Sequence, residues 1–186
     1  MVAYKGSEKL KEIHIGSIKI KEIYKGSTLV YSSGGYPSGT ILFENATAGT
    51  YTLQVDFDCT IHLDLVGGGG AGYMSSGIFP ETAGSGAYIS GDMALTAGTY
   101  TIVVGNGGIV SLHLPTDGND STFENNIAGG GKSGVTGTGG TATVVSQGLT
   151  GQNGLNDSTV GWINGYGAGG KGNKDGVAGY CKIVVV

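Results

Sequence analysis

Cysteine and proline are nearly absent from this chain, and charge is thin. Two cysteines among 186 residues do not build a disulfide framework. Three prolines set against 39 glycines exclude a proline-glycine disordered tract. The glycines keep no sustained G-X-Y period, so a collagen triple helix is excluded as well. Charged residues supply 13% of the chain, about half the usual share. Ten Lys and Arg against fourteen Asp and Glu leave a net charge of −4. Nucleic-acid binding needs a basic surface that displaces counterions, so no nucleic-acid partner is expected. No stretch reaches the roughly 20 apolar residues of a membrane helix, and no membrane insertion is expected. The opening Met1-Val2-Ala3-Tyr4-Lys5-Gly6 lacks the apolar centre of a signal peptide, which points to folding in a cytoplasm.

What is present is glycine in clusters, with β-branched and aromatic stretches between. Hydrophobic residues make up 39%, adequate for a core. A composition shift near residue 35 divides the chain into a segment 1–35 and a glycine-rich domain 36–186. In the first, Gly6-Ser7-Glu8-Lys9-Leu10-Lys11-Glu12-Ile13-His14-Ile15 is echoed by Gly16-Ser17-Ile18-Lys19-Ile20-Lys21-Glu22-Ile23-Tyr24-Lys25 and a truncated Gly26-Ser27-Thr28-Leu29-Val30-Tyr31. Decamers with Gly-Ser turns predict short consecutive strands; glycines inside a helix would each cost about 1 kcal/mol. About thirty residues bury too little area for a core. Leu10, Ile13, Ile20, Ile23 and Val30 are therefore expected to pack on the following domain or on other copies, with a homotrimer favoured over a dimer or monomer.

The second part carries the clearest alternation. Val55, Phe57, Cys59, Ile61, Leu63 and Leu65 share one face, and Asp56, Asp58, Thr60, His62 and Asp64 the other, with a bend near Asp58. Thr47-Ala48-Gly49-Thr50-Tyr51-Thr52-Leu53 recurs as Thr96-Ala97-Gly98-Thr99-Tyr100-Thr101-Ile102, which predicts two strands in comparable places of one sandwich. The apolar run Tyr180 to Val186 predicts a C-terminal strand tucked into the sheet. Glycine clusters at 67–70, 129–131, 137–140 and 165–172 are costly to order singly. They are expected to pack on one another, backbone against backbone.

Gly-Thr-Tyr-Thr-Leu, the run Leu65-Val66-Gly67-Gly68-Gly69-Gly70-Ala71-Gly72, and four later stretches carry a resemblance. Those are Tyr100 to Gly105, Asp120 to Phe123, Ile127 to Gly131 and Gly165 to Gly170, followed by the closing Tyr180 to Val186 strand. Over about residues 40–186 the chain resembles the glycine-rich domain of phage tail-fibre and tail-tip proteins, a type also found in some receptor tyrosine kinases. Ile23 to Tyr31 is similar to an opening of small phage and prophage structural proteins. The resemblance implies an all-β fold, a β-sandwich joined to packed polyglycine II segments, with loops at one end meeting a cell-surface receptor. It further implies a non-enzymatic virion tail protein made in the bacterial host cytoplasm. Its partners would be other tail proteins and a host cell-surface glycan or protein, and no cofactor is implied.

Candidate sites are sparse. His14, His62 and His113 show no metal-ligand spacing. Cys59 and Cys181 fall on expected inward faces and are read as a buried pair on neighbouring strands, reduced in a cytoplasm. Gly129-Gly130-Gly131-Lys132-Ser133 lacks the phosphate-loop spacing, since position 126 is asparagine. Asp117-Gly118-Asn119-Asp120 is read as a plain turn in preference to a calcium loop. Tyr73, Phe79, Tyr88, Trp162 and Tyr166 are the aromatic candidates for stacking on sugars or anchoring a partner, against the favoured reading that Trp162 caps the core. A glycan-active enzyme would need two placed carboxylates, and Asp56, Asp58, Asp64, Glu81, Asp92 and Glu124 stand in no signature. A bacterial surface or matrix adhesion protein is the further alternative.

Overall fold

The computed structural model describes side chains for residues 35–74, 80–110, 114–134 and 137–186, and backbone alone for Ser75, Phe79, Ser111 and six short strands between residues 4 and 32. Those six strands form three antiparallel pairs: β1 (Tyr4–Lys5) with β2 (Glu8–Lys9), β3 (Ile13–Ile15) with β4 (Ile18–Ile20), and β5 (Glu22–Lys25) with β6 (Thr28–Ser32). Each pair flanks one Gly-Ser dipeptide, as the decamer period predicts. Leu10, Ile13, Ile20, Ile23 and Val30, the residues read as self-association positions, lie outside the described side chains.

The domain that follows is built from two five-stranded antiparallel sheets. One has the order β19-β12-β9-β20-β7, from Leu149–Gln152, Tyr88–Leu95, Cys59–Val66, Tyr180–Val185 and Ile41–Asn45. The other has the order β18-β17-β16-β13-β8, from Ala142–Thr143, Asn126–Ala128, Ser121–Phe123, Gly98–Val104 and Gly49–Val55. Two short hairpins complete the set, β10 (Tyr73–Ser75) with β11 (Phe79–Glu81) and β14 (Val110–Ser111) with β15 (Leu114–Pro115). The alternation that predicts one bent strand is two strands in different sheets. Val55 closes β8, residues 56–58 turn the corner, and Ile61, Leu63 and Leu65 resume the inward face. These meet Val104, Ile102 and Phe123 across the sandwich, all almost fully buried.

The two Thr-Ala-Gly-Thr-Tyr-Thr copies are adjacent strands of one sheet, with Tyr51 opposite Ile102 and Leu53 opposite Tyr100. In each copy the tyrosine hydroxyl donates to the carbonyl four residues upstream, Tyr51 to Thr47 and Tyr100 to Thr96, both at 2.7 Å. The repeat is thus a chain-reversal device used twice: the ring lies over the turn and its hydroxyl fastens the entering strand.

The cysteine reading holds for neighbouring strands, β9 and β20, and needs correction for proximity. Both thiols are free, and Cys181 is fully buried. Register places Cys181 opposite Leu65 and Cys59 opposite Leu95. The two share a face but stand six residues apart along β9, roughly 20 Å at strand rise. Alternation assigns a face and says nothing of register. Burial pushes both thiols up from their usual range, with Asp58 adding to the effect at Cys59. Cys59 is only half-buried, so it is expected to label slowly with a thiol reagent while Cys181 stays unreactive until denaturant is added. Equal labelling rates would contradict the placement.

Between the strands lie four excursions, residues 67–87, 105–120, 129–141 and 153–179. Three leave a strand and return to the strand paired beside it, β9 to β12, β13 to β16 and β17 to β18; the fourth leaves β19 and enters β20, with β12 and β9 between them in the sheet. Their backbone bonds repeat every three residues. Gly67 and Gly70 donate to Ala87 and Gly84; Gly68 and Ala71 donate to Asn119 and Thr116; Gly69 and Gly72 donate to Val177 and Lys174. The same segment accepts from Gly131 and Gly134, from Gly108, and from Gly170. One extended segment is therefore ringed by six others, the threefold symmetry of a polyproline II-type helix built from glycine. A ladder of period two would face only two neighbours.

Side chains would break this packing. A β-carbon on Gly68 would overlap the carbonyl oxygen of Asn106, and one on Gly69 that of Ala168. A serine completes the lattice where it joins the sheets. Gly108 donates to Gly69, so the parallel register next calls for Gly105 and Val66. There the fully buried Ser121 intervenes: Gly105 N–H donates to its Oγ at 2.9 Å, and its hydroxyl donates to the Val66 carbonyl at 2.6 Å.

Candidate interaction surface

The aromatic candidates do not form one site. Trp162 stacks on Tyr88, with ring centroids 5.4 Å apart, and Tyr166 stacks on Tyr180 at 4.7 Å. Tyr88 and Tyr180 both pair with Val66 on the outer face of the β20 sheet. Val66 is fully buried although its position in the alternation faces outward. The loop around Trp162 and Tyr166 covers it and forms a second, smaller core. The indole N–H of Trp162 donates to the Gly86 carbonyl at 2.6 Å, where three residues earlier Ala83 accepts from the Ser158 backbone. Trp162 is held on both its ring face and its N–H, which agrees with the core-capping reading. Tyr73 sits elsewhere, on the β10–β11 hairpin.

Below this loop the same sheet face carries a polar ladder. Tyr88 and Ser90 both donate to Asp64 Oδ1, at 2.5 and 2.9 Å. His62 Nδ1 lies 2.6 Å from Asp92 Oδ1, and its Nε2 lies 3.2 Å from Ser90 Oγ. Tyr180 donates to Glu44 at 2.6 Å, and Lys182 approaches the same carboxylate at 3.5 Å. Burial, then the neighbouring Asp64, raises the Tyr88 hydroxyl above its ordinary range; burial and Glu44 do the same for Tyr180. The Tyr180 hydroxyl, with help from Lys182, lowers the Glu44 carboxyl. Ser90, His62 and Asp92 have the connectivity of a nucleophile, base and orienting acid. The serine hydroxyl, however, is spent on Asp64, and Ser90 and its neighbours sit inside strands paired on both sides, whose N–H groups belong to the ladder and are not free to serve as oxyanion donors.

The other sequence candidates take structural places. From Gly129 to Gly134 every backbone N–H has an acceptor within the domain, so this run offers no phosphate cradle. Asp117 and Asp120 are not a plain turn: they supply acceptors to Ser133 and Gly130 at 2.7 and 2.8 Å. Among the described residues, no three His, Cys, Asp or Glu side chains gather as metal ligands.

The far end of the glycine bundle gathers features that sequence reasoning missed. Each segment of about six residues spans about 19 Å at 3.1 Å per residue, which carries its reversal well clear of the sheets. The described residues that flank each reversal, 73–75 with 79–82, 109–111 with 114–116, 133–134 with 137, and 170–174, all fall at that end, as the antiparallel registers require. Ile109 and Leu114 are 57% and 76% exposed there, beside exposed Lys171 and Lys174. The opposite pole holds the chain's entry: Gly39 donates to Val185 and Val185 donates to Thr40. A sequence signal did exist for one tip loop, since the glycine clusters 129–131 and 137–140 bracket it.

A search of curated proteins finds no match to this chain. A family model described as a glycine-rich domain matches residues 45–182, well over half of the chain. That span begins at the last residue of β7, ends within β20, and takes in every strand between them and the whole bundle. The chain belongs to this glycine-rich domain family.

Proposed function

We propose that this protein is a non-enzymatic structural component of a phage or prophage tail, an adhesin-like module whose bundle-tip loops touch a host cell-surface glycan or protein, or another tail protein. The observation that carries this reading is the two-ended layout. The chain enters at one pole beside Val185, and four loops are presented together at the other. Glycine packing bars a side chain at the closely packed positions of the shaft, Gly68 and Gly69 among them, which leaves the tip loops free to vary, the arrangement expected of a binding loop on a rigid scaffold. Residues 1–35 would join copies, three being favoured, and attach them to the tail. A bacterial surface or matrix adhesion protein would use the same tip.

The test is binding of labelled protein to intact bacterial cells across a panel of strains. Leu114→Asp with Ile109→Asp is expected to lower binding at least tenfold on a strain that binds the parent. His62→Ala with Asp92→Ala, on the sheet face, is expected to leave it unchanged. The reverse pattern would transfer the function to the polar ladder and end the tip proposal.

A further inference from the structure

We infer that the groove between residues 106–109 and 116–119, on the flank of the bundle just below its tip, is a subsite for one neutral sugar ring of a cell-surface glycan. The inference rests on the reading of the tip as the contact region and names the chemistry met there. Two rungs hold the groove's walls together. Asn119 N–H donates to the Asn106 carbonyl at 2.8 Å, and Thr116 N–H donates to the Ile109 carbonyl at 3.1 Å. On each wall the rungs are three residues apart, about 9 Å at 3.1 Å per residue. Ile109 N–H also donates to Thr116 Oγ1 at 2.9 Å. The groove measures about 310 Å³ and is lined by Asn106, Gly107, Ile109, Thr116, Asp117 and Asn119. That is the small end of the range for ligand sites, suited to a single ring.

The lining selects the ligand. Elsewhere on the bundle, Asn153 and Asn156 are spent on backbone, accepting from Ala142 and Gly139, both at 2.9 Å. Asn106 and Asn119 share one rung and are exposed, and their side-chain amides meet no partner among the described residues. A primary amide offers two donors and an acceptor, which suits neighbouring hydroxyls on a sugar ring. Asp117 accepts from Ser133 N–H on one carboxylate oxygen and from Lys132 on the other, and each oxygen keeps a lone pair for a further hydroxyl. Ile109, 57% exposed, supplies apolar surface for the C–H face of a ring. Anions are disfavoured, because the one charged residue of the lining is Asp117. A peptide strand is disfavoured too, because the walls spend backbone groups on each other at both rungs, which removes the edge that strand addition uses. No aromatic side chain lines the groove, so a single site binds weakly and copies acting together gain by avidity.

The full chain, labelled and clustered on beads, is tested on an array of neutral, sulfated and sialylated oligosaccharides. Capture by neutral glycans is expected. Asn106→Ala with Asn119→Ala is expected to lower that capture at least tenfold and to keep the parent's Tm, since neither side chain has a partner within the protein to lose. Should that variant misfold, Asn106→Asp with Asn119→Asp has the same shape without the donors and carries the same expected loss. Capture by anionic glycans alone, capture by none, or a folded variant that binds as the parent does would overturn the inference. Cell binding separates this failure from failure of the tip reading. If the alanine variant binds a susceptible strain as the parent does while Leu114→Asp with Ile109→Asp does not, the subsite is lost and the tip reading stands. Undiminished binding by both variants removes the tip reading as well.

Discussion

Gly69→Ala is expected to abolish the native fold. Gly69 lies in the segment that six others surround, and the atoms nearest an added methyl are the Ala168 carbonyl and the Gly167 oxygen. No flexible side chain stands there to move aside. Relief requires shifting the 167–170 segment, which also accepts from Ala83 and Gly86. Overpacking of an ordinary core costs about 1–3 kcal/mol because side chains share the displacement. Here rigid backbone takes it, so the loss should exceed about 3 kcal/mol, a large part of the 5–15 kcal/mol typical of a whole domain. Gly98→Ala is the comparison, since the nearest atom to an added carbon there is on the Tyr100 ring at an ordinary 3.8 Å. Thermal melts followed by circular dichroism should find no cooperative transition for the first and a small shift for the second. A Gly69→Ala protein that melts within a few degrees of the parent would show that the bundle is loosely packed.

Ser121→Ala is expected to lower Tm by roughly 6–12 °C, from a loss of about 3 kcal/mol at the scaling for a domain of this length. The hydroxyl is the only group that joins Gly105 N–H to the Val66 carbonyl. Stranding a buried donor or acceptor costs about 1–3 kcal/mol each. Water cannot easily replace the hydroxyl, because Gly179 already lies so close that its own β-carbon would sit 2.5 Å from Ser121 Oγ. A melt unchanged within error would mean that the strand and bundle relax together and close the gap without it.

The sheets were legible because burial leaves a period in the side chains. From Val55 to Leu65 that period survives even across the corner at residues 56–58, where the strand changes sheet. The glycine bundle was legible only as a fact of packing, not as a map. A bond from Gly70 to Gly84 involves no side chain, and any neighbouring glycine run could have supplied the same carbonyl. Register was the other hidden quantity, and it separated Cys59 from Cys181. Asp117 and Asp120 look like turn or calcium residues because their three-residue spacing has meaning only once the segment beside them is known. Trp162 was ambiguous for a related reason: its ring and N–H are satisfied by residues more than seventy positions away.

The common direction of strands and glycine segments has a mechanical consequence. β7 begins at the pole where the chain enters and runs toward the bundle, antiparallel to β20. A tensile load between that pole and an attached tip acts along the hydrogen-bonded elements, not across them. Each bundle segment is then held by bonds to several neighbours that must slip together, so the load is shared in shear instead of being released one bond at a time. A crossbeam geometry built from the same bonds would unzip.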